Sequence, residues 1–214
     1  MKNGGRVNGR NGRSETGGPS AGEGWAVWIT GLPGSGKSTV ARAVVEGLTR
    51  RGFAAVRLSM DERRKQYFPN PDYSAEEREK AYAMFVDEAA FMVRSGKGVV
   101  MDGTAPRLEM RRRARRLIPR FAEIFLRCPV GTAMRREAAR PEGLVMAGLY
   151  EKALRRQKTG EQVAGLGLVP GVDVPFEEDR KAECVIDAGT LSEDEVCSRA
   201  VAFVFLWLVD HYGT

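Results

Sequence analysis

The stretch Gly31-Leu32-Pro33-Gly34-Ser35-Gly36-Lys37-Ser38-Thr39 constrains this chain more than any other feature. It fits the phosphate-binding pattern G-x-x-x-x-G-K-[ST]. Its setting matters as much as its letters. WAVWIT (25–30) is a short apolar run of β-formers and predicts a buried strand. Residues 37–51 carry Val40, Ala41, Val44, Val45 and Leu48 at helical spacing, and Gly52 stops the pattern. Between a strand and a helix, a glycine-rich loop turns its N–H groups inward as an anion nest, and the helix points its positive end at the same place. The expected ligand is ATP, held by residues 31–39. The Lys37 ammonium is expected to reach the β- and γ-phosphates, and the Ser38 hydroxyl to ligate Mg²⁺.

The rest of the chain alternates in the same way. AAVRLS (54–59), GVVMD (98–102), AEIFLRC (122–128) and ECVIDA (183–188) predict further strands. Helical spacing covers 75–95, 107–118, 130–139, 148–157 and 192–209, the last opened by Ser192 with Glu195 in a capping box. Alternating strands and helices predict a mainly parallel sheet in a three-layer α/β/α sandwich, and with the loop at 31–39 this is the expected phosphate-loop NTPase/kinase fold. Residues 1–24 are Gly, Asn, Ser and Arg with almost nothing to bury, which predicts a disordered tail. One domain, 25–214, follows, with its lid and substrate region at about 136–178.

Composition removes several alternatives. Lys+Arg is 34 against Asp+Glu 28, a net charge of +6 that suits a phosphate-rich partner without identifying one. The single histidine, His211, sits near the end of the chain, so a His-rich metal site is excluded and a His-dependent triad has no second candidate. Cys128, Cys184 and Cys197 form no C-x-x-C pair and predict reduced thiols in a cytoplasmic protein. The longest apolar stretch, Ala200 to Val209, falls short of the about 20 residues a bilayer span needs, so it predicts a buried C-terminal helix and no membrane partner. The run Arg111, Arg112, Arg113, Arg115, Arg116 points all round a helix and reads as a solvated face rather than a nucleic-acid stripe. Arg155 and Arg156 read as exposed helix residues in the same way.

Two acids stand where a bound nucleotide could use them. Asp61 follows the second strand, and ligands of an open parallel sheet sit at the carboxyl ends of its strands. A carboxylate there can take the proton of an attacking hydroxyl, so Asp61 and Lys37 are the expected catalytic residues. Asp102 ends the third strand behind an apolar run, the pattern of a carboxylate that holds Mg²⁺ together with Ser38.

With these residues in view, the chain resembles the adenylylsulfate (APS) kinase family. ITGLPGSGKSTVARAV is similar to the opening of those enzymes, and LSMDERR stands where they carry an LDGDNxR segment. Tyr73-Ser74 with Arg78, Pro106, GLYEKA (148–153) and PGVDVPFE (170–177) match further segments in the same order. The resemblance implies that Asp61 is the acid/base, that Arg64 and Arg78 contact the acceptor, that Tyr73 stacks on its base, and that Arg136 lies by the ATP base. It implies transfer of the γ-phosphoryl group to the 3′-hydroxyl of APS.

This chain departs from the pattern at Ser59, Glu62, Ala81, Ala147 and Val169-Pro170. Asp102 has no counterpart, and 138–147 and 157–169 look like insertions. The acceptor expected is therefore small, anionic and nucleotide-like, with two guanidinium groups free to pair with it, and APS heads that class. Another nucleotide-linked or sugar alcohol stays open, as do a nucleic-acid-binding NTPase module and a homodimer. Lys37→Ala should cut turnover by about 10²–10³-fold, the usual cost of removing one transition-state charge partner. A steady-state ADP-release assay checks this.

Overall fold

The computed structural model describes residue 1 and residues 24–139 and 147–212. Of the predicted tail, 1–24, residues 2–23 lie outside the described residues, and of the insertion at 138–147, residues 140–146 do. Five parallel strands form one sheet: β1 Trp25–Thr30, β2 Ala55–Ser59, β3 Gly98–Asp102, β4 Phe121–Arg127 and β5 Cys184–Asp187. Their order is β2-β3-β1-β4-β5. Every residue of β1 is buried, as a central strand covered on both faces requires. Its side chains alternate between two cores. Val27 and Ile29 join Val100, Ile124 and Leu126 on one face, and Ala26 and Trp28 join Val99 and Met101 on the other.

Helices cover both faces. The first is packed by α1 (Lys37–Thr49) and α7 (Glu193–Tyr212) through Val40, Val44, Ala200 and Val204. The second is packed by α3 (Ala75–Arg94), through Tyr82, Phe85 and Ala89, and by α4 (Leu108–Leu117), through Ala114. Two further helices, α5 (Val130–Ala138) and α6 (Leu149–Thr159), lie together beside the phosphate loop. The Glu137 carboxylate of α5 accepts the Leu149 N–H at 3.0 Å, which caps the start of α6. The three-layer sandwich is the architecture the alternation predicts.

Three local features differ from the sequence reading. A short helix, α2 (Met60–Tyr67), follows β2 directly. Only Met60 and Arg64 of it are buried, so it has no apolar stripe to betray it. Its acids Asp61 and Glu62 lie in the first turn and its bases Arg64 and Lys65 in the last, which suits the helix dipole.

The C-terminal helix is not buried all round. Val196, Ala200, Val204 and Leu208 face the core at four-residue spacing, while Leu206 is 59% exposed. Its start carries the expected capping box: Ser192 Oγ accepts the Glu195 N–H at 3.3 Å, and the Glu195 carboxylate accepts the Ser192 N–H at 2.9 Å. Among the described residues, no helix is long and apolar enough to cross a membrane.

The arginine run on α4 is a solvated face only in part. Arg112 and Arg116 are exposed, but Arg111 is fully buried against an equally buried Glu123 on β4, Nε to Oε1 2.9 Å. Arg111 also donates to the carbonyls of Ala105 and Glu177 and lies over the Phe176 ring. Burial pushes the Glu123 carboxyl up, and Arg111 opposes that shift. Periodicity sees an arginine as polar wherever it falls, so it misses a guanidinium paired inside. Among the described residues, Arg111→Ala leaves buried Glu123 with only the Thr30 hydroxyl at 2.9 Å and the more distant Arg115 at 3.8 Å, and should cost about 3 kcal/mol, read from urea unfolding.

Candidate active site

The site forms where neighbouring strands send their connections to opposite faces. After β1 the chain turns toward α1, and after β3 it turns toward α4 on the other side, leaving a crevice at the carboxyl ends of the two strands. The loop 31–36 sits in this crevice. Gly36 has φ of 98°, and a Cβ there would meet nothing within 4 Å, so the loop backbone curls around open space. Such a conformation is easy only for glycine.

Ser35 Oγ is buried with no hydrogen-bond partner among the described residues, an orphan polar atom of the kind an anion nest contains. Lys37, the first residue of α1, is 8% exposed, and its Nζ donates to the Leu32 carbonyl at 2.9 Å. The crest of the loop is held from behind by fully buried Tyr150, whose hydroxyl donates to the Pro33 carbonyl at 2.9 Å.

A cavity of about 220 Å³ opens beside the loop. It brings together Lys37 and Ser38 from the loop, Asp61 and Arg64 from α2, Tyr73 and Arg78 around the start of α3, and Asp102 from the end of β3. Residues far apart in sequence thus line one space, as expected of a single reaction centre. Arg136 does not line it. It lies across the loop in a smaller cavity of about 130 Å³ with Ser35, Gly36 and Leu191, and its Nη1 donates to the Ala188 carbonyl at 2.8 Å. Two cavities therefore flank one phosphate loop. A larger hollow of about 700 Å³ lies beyond the end of β4 and shares only Leu32 with the predicted site residues.

The charges are arranged unevenly. Arg64 pairs with Glu77 at 2.8 Å, both side chains being nearly buried, and its guanidinium lies 5.4 Å from the Tyr73 ring centroid. It is not the free cation that the sequence suggests. Arg78 has no carboxylate partner among the described residues, and it donates to the Leu168 carbonyl. Burial pulls its pKa down, with nearby Arg64 and Arg107 adding to the effect against Tyr82 and Asp173. A desolvated cation among other cations is stabilised by a bound anion.

Asp102 is buried and pairs with Arg57 Nε at 3.4 Å. Tyr73 has φ of 56°, held by the Ser74 N–H bond to Asp72 at 2.7 Å and the Asp72 N–H bond to Glu77 at 2.5 Å. Backbone kept in a sparsely populated region by surrounding bonds tends to mark a working position.

Several site residues escape sequence reasoning. Tyr82 lines the cavity, and its hydroxyl accepts the Ala105 N–H at 2.8 Å. Its place in the apolar stripe of α3 reads only as core. Arg57, inside a strand, gives no signal. The wall from 165 to 170 has no periodicity to reveal it.

A phosphate loop between a parallel strand and a helix, with a carboxylate and a cation in the adjoining cavity, defines a phosphate-loop kinase. Comparison with known proteins gives the family. The adenylylsulphate kinase profile matches residues 23–187, and the chain belongs to that family of ATP-dependent kinases. A probable adenylyl-sulfate kinase of Archaeoglobus fulgidus is 32% identical over 163 residues, which cover 76% of this chain and 95% of the relative. An adenylyl-sulfate kinase of Bacillus pumilus is 31% identical over 180 residues, 83% of either chain. Among solved structures, the Mycobacterium tuberculosis APS kinase in complex with AMPPNP and APS superposes with a TM-score of 0.70 at 25% identity, covering 86% of this chain and 99% of that one.

The Tyr150 hydroxyl is a sharp test of how the loop is held. Tyr150→Phe leaves the partly buried Pro33 carbonyl without this donor and should cost about 0.5–1.5 kcal/mol in thermal unfolding, with faster amide exchange in residues 34–36.

Proposed function

We propose that this protein transfers the γ-phosphoryl group of ATP to the 3′-hydroxyl of APS, in the cytoplasm. The observation that carries the reading is the shared cavity, which Asp61 and the anion-seeking Arg78 line together with Lys37 and Ser38. The phosphate loop, residues 31–39, holds the ATP phosphates through its N–H groups, and Arg136 lies by the base on the far side. The acceptor lies in the cavity, with its base on Tyr73 and its anion on Arg78. Arg64, already paired with Glu77, serves mainly to back the Tyr73 ring.

In the transfer, Asp61 accepts the proton of the acceptor hydroxyl as its oxygen bonds to the γ-phosphorus and the bond to the β-γ bridging oxygen breaks. Lys37 offsets the charge that gathers on the phosphoryl oxygens, and ADP leaves. Mg²⁺ supplies charge neutralisation between the phosphates when bound. Ser38 and Asp102 are the residues that would hold it, and hard oxygen donors of this kind fit its preference. Among the described residues no group of three or more His, Cys, Asp or Glu is placed to hold a metal ion. An ion held mostly by phosphates and water needs none. Residues 25–214 carry the catalytic domain.

The deciding experiment is ADP release against a panel of APS, nucleosides and uncharged sugars. Turnover should need an anionic acceptor and be highest with APS. Efficient phosphorylation of a neutral sugar would overturn the assignment. Within that assay, Asp61→Asn should keep ATP affinity within a few fold and cut turnover by about 10²–10⁴-fold. Arg78→Ala should raise the acceptor KM far more than the ATP KM.

A further inference from the structure

The cavity wall between residues 165 and 170 contains no regular helix or strand. Irregular backbone beside a site must bond its polar groups to something, and the partners it finds decide its shape. Here the partners come from one ion pair. Arg156, on α6, donates through Nη1 to the Leu166 carbonyl at 2.7 Å and through Nη2 to the Gly167 carbonyl at 3.0 Å. The same Nη2 meets Asp173 Oδ2 at 2.6 Å. That carboxylate oxygen also accepts the Val169 N–H at 2.6 Å, and the Asp173 N–H returns to the Val169 carbonyl at 2.8 Å. The Arg156 side chain is 16% exposed and that of Asp173 9%. Arg156 is thus not the exposed helix residue that its spacing suggests, and the wall it holds lies in the 157–169 stretch that looks like an insertion.

The wall touches both residues assigned to the acceptor. The Leu168 carbonyl, between the clamped Gly167 and Val169, receives the Arg78 guanidinium. Gly167 packs so closely on Tyr73 that a side chain at 167 would run into the Tyr73 carbonyl. Neither Arg156 nor Asp173 lines the cavity. From these contacts we infer that Arg156 and Asp173 are positioning residues for the acceptor. They hold the 166–169 wall at the spacing that seats Arg78 and Tyr73, and so set acceptor affinity without touching acceptor or ATP. This rests on the reading of the cavity as the acceptor site.

The test uses the full chain with Arg156→Met, Asp173→Asn and the double variant. KM is measured for APS and ATP separately, and amide exchange is followed at 166–169. The acceptor KM should rise about tenfold or more in each single variant while the ATP KM stays within about twofold. The double variant should be little worse than either single one, because both remove the same clamp. The Val169 amide should exchange about tenfold faster, and amides of the phosphate loop should not change. Arg156→Lys keeps the charge but lacks the planar fork that reaches three acceptors, so it should recover only part of the loss.

An equal rise in both KM values, an unchanged acceptor KM, or full additivity in the double variant would overturn the inference. If the wild type binds ATP but does not phosphorylate APS, the acceptor assignment fails by itself. The exchange data then decide the clamp: unchanged protection at 166–169 refutes it, and acceleration confined there and at Tyr73 upholds it. Should Arg156→Met not fold, the near-isosteric Asp173→Asn carries the same measurements.

Discussion

Everything at the site depends on two parallel strands ending side by side while their connections part to opposite faces of the sheet. The register sets Ile29 of β1 beside Asp102 of β3, and Ser59 of β2 on the other flank of Asp102. The phosphate loop, the 102–106 turn and the start of α2 must therefore converge on one edge. No side chain has to reach far. The crevice follows from sheet topology, and the loop backbone supplies an anion site before any side chain contributes.

The protein also carries charge pairs that are not simply solvated. Arg64 with Glu77, Arg57 with Asp102, Arg111 with Glu123 and Arg156 with Asp173 are all partly or wholly removed from water. Buried pairs of this sort add little net stability compared with apolar packing, but losing one partner is expensive. Their use here is geometric. Arg111 joins β4 to the Ala105 and Glu177 carbonyls, and so ties the turn after β3 to the segment that precedes β5. Ala105 has φ of 43°, a conformation that needs such support.

How far the sequence could be read follows from what each signal encodes. The strands, six of the seven helices among the described residues and the phosphate loop were legible because apolar spacing and glycine placement report backbone geometry directly. Asp61 and Asp102 were legible as cavity residues because each follows a strand, and Tyr73 and Arg78 were legible through the resemblance to the family. The pairing of charges was not legible. Whether an arginine lies in water or against a carboxylate depends on which distant element packs over it, as α4 does on β4 at Arg111 and Glu123. The short helix α2 and the 165–170 wall were hidden for the related reason that neither has an apolar stripe.

The bond from Glu137 to the Leu149 N–H has a consequence for how such an enzyme can diversify. It joins the end of α5 to the start of α6, so the two helices that brace the phosphate loop are anchored on either side of the segment between them. The entropic cost of a longer connection rises only by about 0.6 kcal/mol for each doubling of its length. Residues can therefore be added or removed between those anchors without shifting Tyr150 or the loop it supports. Evolution, or a protein engineer, has a place there to vary the edge of the active site while the phosphate-binding machinery stays put.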